Sequence, residues 1–181
     1  MQLRNLIVSV IPLVCLIAVG CSTAPEAGAE RSELSSDTTD TLKQASAKDP
    51  SLSEYLQKST GYAVFPNVNK GAAIVGGSYG RGTVYEHGEF IGYADITQAT
   101  VGLQAGAQQY SEVVVFESPQ DVERFKSGKL TFAATRSAVA LKTGAAESAS
   151  YTDGVTVFVD PIDGMMFEAA VGGQQFTYQP R

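Results

Sequence analysis

The sequence predicts a mainly β fold of the α+β kind: an antiparallel β-sandwich or closed barrel-like sheet with a few short peripheral helices. Three observations carry this reading. Short runs rich in Val, Tyr, Phe and Thr recur from Tyr62 to Tyr178. Turn-forming pairs and clusters separate them, among them Pro66-Asn67, His87-Gly88 and Asp160 to Gly164. Glycines 76, 77, 102 and 106 fall inside the runs, where a bend or a close backbone approach calls for them. Many short strands with tight turns and little helix suit a sandwich or a barrel.

The elements follow in order. Residues 1–20 read as a signal segment: Arg4 supplies a positive start, and an apolar run from Leu6 to Val19 follows. That run is short of the about 20 apolar residues a membrane span needs, and it contains Pro12. Residues 21–40, rich in Ser, Thr, Ala and Glu and free of aromatics, read as a flexible tether reaching roughly 25 Å on average. Thr41 to Ser59 reads as helix, broken at Asp49-Pro50, with Ser51 as N-cap, Glu54 as its capping-box partner, and Leu52, Tyr55 and Leu56 on one packing face. Strands are expected over 62–65, 71–79, 81–86, 89–93, 99–108 and 111–116, with a hairpin turn at His87-Gly88. Ser118 opens a short helix that Gly128 closes. Leu130 to Thr143 has the alanine content of a helix but also fits an irregular connection. Strands over 154–159, 165–171 and 174–178 close the domain, 41–181, with a turn at 160–164. A membrane-spanning barrel is disfavoured, because no aromatic girdles are evident.

Composition narrows the function. The 181 residues are 44% hydrophobic and 18% charged, as in a globular core. Thirteen basic residues against nineteen acidic give a net charge of −6, so the chain is not built to coat nucleic acid. A single histidine, His87, excludes a metal site of two or more imidazoles. Both cysteines, Cys15 and Cys21, lie near the N-terminus and cannot staple the fold.

Several motifs are weighed and set aside. Gly76-Gly77-Ser78-Tyr79-Gly80 matches G-x-S-x-G, but strand follows it where the nucleophile elbow needs helix, and His87 sits in a turn nine residues on. The same glycines fit no phosphate loop. Asp153, Asp160 and Asp163 lack the regular oxygen spacing of a calcium loop and read as turn residues. No catalytic residue, metal or cofactor is expected. Arg124, Lys126, Lys129, Arg136 and Lys142 fall within nineteen positions, with only Glu123, just before them, in opposition. Such a patch suits anionic headgroups, each charge contributing about 1 kcal/mol near an anionic surface; a solvated helix face is the plainer alternative.

Two resemblances add to this. Ala18-Val19-Gly20-Cys21 resembles a bacterial lipobox, with Ala18 where Leu is preferred. It implies that Cys21 becomes lipid-modified and N-terminal, leaving a mature charge of −7. Ser22 after it, where Asp would signal inner-membrane retention, implies the periplasmic face of the outer membrane. Further on, Tyr62 to Gly71, Ile74 to Gly82, Ala94 to Gln108, Phe125 to Leu130 and Val171 to Phe176 resemble, in order, the motifs of the SYLF domain. The match runs from about Leu52 to Tyr178. It implies a non-enzymatic, lipid-binding module; eukaryotic members bind phosphoinositides and associate with actin, while bacterial members are often lipoproteins. The partners implied are a phospholipid membrane through lipidated Cys21, anionic headgroups and envelope proteins. Lys70, Arg81, Lys126 and Lys129 lie in the matching motifs and are the expected headgroup contacts. A structural or protein-interaction module without lipid specificity is the alternative.

Overall fold

The structure is a computed structural model, and it describes residues 28–72, 75–130 and 138–181. The signal segment, Cys21 and Arg136 lie outside the described residues. Helices α1 (Gly28–Lys48) and α2 (Ser51–Lys58) precede strands β1 (Gly61–Ala72), β2 (Val75–Glu86) and β3 (Glu89–Phe116). Helix α3 (Pro119–Lys126), the short β4 (Ala138–Ala140), α4 (Ala145–Ser148) and β5 (Val155–Pro180) complete the chain. No described helix is long and apolar enough to cross a membrane.

Five strands make one strongly bent sheet. β1 pairs antiparallel with β2 on one side and with the second half of β3 on the other. The first half of β3 pairs with β2, and β5 follows β3 along its whole length, from Gly92↔Pro180 to Phe116↔Val155. The β3–β5 ribbon therefore wraps the tip of the β1–β2 hairpin and flanks it on both sides. Laterally the order is β4, first half of β5, second half of β3, β1, β2, first half of β3, second half of β5. The sheet is mainly β as expected, but it is not closed into a barrel. It is also mixed, because β4 runs parallel to β5.

Two of the longest strands merge what the sequence divides. Turn residues at 160–164 do not end β5. Tyr110 faces Pro161 while Gln109 faces Asp163, so Ile162 is the extra residue of a bulge and stands 51% exposed. A bulge absorbs a proline that could not donate to a regular ladder. The same local irregularity lets β3 run through Gln109 and Tyr110 without a turn.

Strand alternation gives the sheet two faces. On the inner face Phe65, Val84, Ile96, Val114 and Val157 pack with Val122 and Phe125 of α3. The Phe125 ring lies 4.9 Å from Phe116 and 5.0 Å from Phe176, centroid to centroid. Burying such a side chain contributes about 2–3 kcal/mol. Helix α3 forms here because Ser118 and Asp121 make a reciprocal capping box, Pro119 opens the first turn, and Gly128 takes φ +66° after the last. That is the helix expected from the sequence.

On the outer face, Val64, Val113, Val115 and Phe158 pack under Ala45 of α1, Leu52 of α2 and Ala146 of α4. Helix α1 begins at Gly28, so the expected tether is helical from that residue on. Its sequence is too polar to be helical alone; sheet contacts hold it. Thr38 is fully buried, with its Oγ1 3.0 Å from that of Thr83. Lys48 Nζ donates to Asp160 of β5 at 2.6 Å. The break at Asp49-Pro50 is as expected, but the cap is not Ser51. Asp49 caps instead, accepting from Ser51 N and Oγ and from the backbone N–H groups of Gly144 and Ala146. Glu54 turns away to pair with Lys58 at 2.6 Å.

Candidate functional site

The inner face changes character along the β1–β2 hairpin. One row across the sheet reads Tyr110, Val68, Gly80, Ile96, Phe176, each facing the next in register. Two residues nearer the tip the row reads Gln108, Lys70, Ser78, Gln98, Gln174. Alternation keeps both rows on one face, so the apolar core ends and a polar belt five residues wide begins.

The belt is largely enclosed. Lys70, Ser78 and Gln174 are 8%, 6% and 2% exposed. Ser78 Oγ donates to Gln98 Oε1 at 3.0 Å. Gln174 Nε2 donates across the interior to Glu112 Oε2 at 2.9 Å, tying the second half of β5 to the second half of β3. Glu112 is 1% exposed, and burial pushes its carboxyl up to about 7 against the pull of the Gln174 bond. The Oε1 atoms of Glu112 and Gln174 find no partner among the described residues. Each side of the belt opens into a cleft. One, of about 410 Å³, is lined by Asn69, Lys70, Gly71, Ala107, Gln108, Gln109 and Asp163. The other, of about 370 Å³, is lined by Thr97 to Ala99 and Gly173 to Gln175. The first cleft combines the Lys70 ammonium with amide side chains, donors suited to a phosphate-bearing group, and with the Asp163 carboxylate, which opposes one.

The four basic residues expected to contact headgroups do not converge. Lys70 lies in the belt. Arg81 is on the opposite face of β2, where its Nε donates to Tyr79 Oη at 3.0 Å and its Nη1 lies 3.5 Å from Glu30. Asp95 faces it across the strands, 3.9 Å away, and burial pushes that carboxyl up despite the nearby guanidinium. Lys126, on α3, pairs with Glu86 at 2.8 Å and Glu123 at 3.2 Å. Burial works to lower its ammonium, and the two carboxylates outweigh it. Lys129 is exposed just beyond α3. Arg124, from the same basic stretch, pairs with Asp121 at 2.8 Å. Of that basic stretch, Arg124 and Lys126 are thus held in separate ion pairs.

The other motifs resolve likewise. Ser78 sits within a strand, and His87 is at the far end of β2 in the hairpin turn, at φ 51°. Asp160 pairs with Lys48, and Asp153 occupies a turn at φ 53°. No group of residues suited to a metal occurs among the described residues. Sequence reading missed Glu112, Gln98 and Gln174. Gln174 was findable as a polar residue in phase with Phe176. Glu112 was not, because 113–116 is apolar and buried in both phases, so nothing local marks position 112 as facing the inner core.

Comparison with known proteins bears on what this arrangement does. No curated protein matches the chain. Residues 97–178, from the middle of β3 through α3 to the end of β5, match the family described as Ysc84, Las17-binding protein actin regulator. The matched stretch contains Gln98, Gln108 and Gln174, three of the belt's five residues, together with Glu112 and parts of both strands of the β3–β5 ribbon. Over these residues the chain is similar to the Ysc84 (SYLF) family.

Proposed function

We propose that this is a lipid-anchored, non-enzymatic cell-envelope protein whose SYLF domain binds phospholipid. The observation that carries the reading is the family match, whose members are associated with lipid and actin binding. The lipobox-like Ala18 to Cys21 supports the anchor, and Ser22 supports the periplasmic face of the outer membrane. Of the four expected headgroup residues, Lys70 is the best placed, because it lines a cleft of headgroup size. Arg81, Lys126 and Lys129 lie at separate points on the surface.

Vesicle flotation of the chain from Ser22 to Arg181, without its anchor, tests the domain. Binding should rise with anionic lipid and fall with salt, and Lys70→Gln should weaken it more than Lys129→Gln. Absence of binding at every lipid composition would leave Cys21 as the only membrane attachment and remove the phospholipid-binding reading. One observation favours an envelope protein as partner instead: Arg81, Arg124 and Lys126 already face carboxylates. Salt-insensitive capture of such a partner, with no vesicle binding, is the result that reading expects.

A further inference from the structure

We infer that the face of the domain turned to the bilayer is the one around the N-terminus of α1, bearing Arg31, Ser32, Tyr79 and Tyr93. This rests on the proposed lipid anchor at Cys21 and adds which side of the molecule that anchor presents.

The argument is one of chain length. Only residues 22–27 separate Cys21 from Gly28, where α1 begins. Those seven Cα steps span at most about 25 Å, and roughly 15 Å as a flexible coil. A domain of this size has a radius of gyration of roughly 15 Å and is roughly 40 Å across. The leash is therefore shorter than the body it holds. Whatever its conformation, the point where it enters stays beside the membrane and the opposite side cannot reach it.

That point is fixed on the sheet. Arg81 Nη1 donates to Glu30 at 3.5 Å, and the Arg31 guanidinium lies 5.5 Å from the centre of the Tyr93 ring. Buried Thr38 meets Thr83 two turns further on. The outer face of β2 and of the first half of β3 is thus carried to the bilayer together with the helix end. It presents Tyr79, 45% exposed, whose ring and hydroxyl suit the boundary between acyl chains and headgroups. Glu33, Asp37 and Asp40 on the same helix work against attraction to anionic lipid. The leash, and not charge, imposes the contact, so it should be indifferent to salt. Lys129 and α3, on the inner face, point elsewhere.

The test uses the full chain, processed and inserted in vesicles of phosphatidylethanolamine and phosphatidylglycerol that carry a nitroxide-labelled headgroup. Ser32→Cys and Lys129→Cys each provide a single thiol for a fluorophore, since Cys15 is removed and Cys21 is occupied. Quenching should be severalfold greater at position 32 than at 129, and equal at low and high salt. Tyr79→Cys should behave as Ser32→Cys does. A long Gly/Ser insertion between Ala27 and Gly28 should bring positions 32 and 129 level. Equal quenching at 32 and 129 without the insertion overturns the orientation while leaving the anchor intact. The mass of the N-terminal peptide reads the anchor itself: without acyl chains on Cys21, the anchor and this inference both fall.

Discussion

Glu112 is the residue at which burial and chemistry conflict most directly. Its carboxyl is enclosed, bonded once by Gln174 and raised from 4.5 to about 7. In the unfolded chain it loses its proton near 4.5, so between about pH 4.5 and 7 the native state holds the extra proton. Stability therefore falls as pH rises through this window and levels off above it. The total is roughly 3 kcal/mol. Urea midpoints at pH 5 and pH 8 should show that fall in the parent protein and little of it in Glu112→Gln. A parallel fall in the variant would assign the dependence to another group. Lys70 teaches the complementary lesson: it was legible as a motif residue, but nothing in the sequence says that it faces inward and Arg81 outward. That follows only from Val68 and Gly80 sharing the apolar row, two residues from Lys70 and one from Arg81.

At the scale of elements, small polar devices terminate helices and join them to the sheet. Asp49 gathers four donors from two segments and so fastens α1, α2 and α4 at one point. Burial opposes its charge, but these hydrogen bonds prevail and hold its carboxyl below the ordinary value. Asp49→Ala should cost roughly 2–3 kcal/mol in urea unfolding. Because its folded pKa is depressed, that contribution is present above about pH 4 and disappears as pH falls through the folded value. Asp121 has a comparable double role, capping α3 and pairing with Arg124, and Gly154 lies directly against it. Gly154 has φ +81°, and a Cβ there would overlap the Asp121 carboxylate. Gly154→Ala should lower stability by at least about 1 kcal/mol, detectable as a reduced thermal midpoint. Capping signals near residue 118 were plain in the sequence because they are local. The helicity of 28–40 was not, because contacts such as Thr38 with Thr83 lie 45 residues apart. The lengths of β3 and β5 were hidden for the same reason: each bulge is defined by its partner strand.

The whole molecule is governed by the β3–β5 ribbon wrapped around a hairpin. Composition and turn spacing made a mainly β domain legible; the wrapping was not, since it depends on which half of β3 each neighbour chooses. The vesicle comparison of Lys70→Gln with Lys129→Gln belongs to this scale, because it asks whether the belt inside the curled sheet binds lipid. The ribbon also sets when the domain can exist. Gly92 pairs with Pro180, and Arg181 N–H reaches Ile91 O at 3.1 Å. Phe176 and Tyr178 complete an inner core whose other members come from as early as Ala63. No N-terminal portion of the chain holds that core, and a version ending at residue 170 should show no cooperative unfolding transition. A polypeptide synthesised from its N-terminus thus cannot close this sheet until residues 171–180 are free to pair with β3.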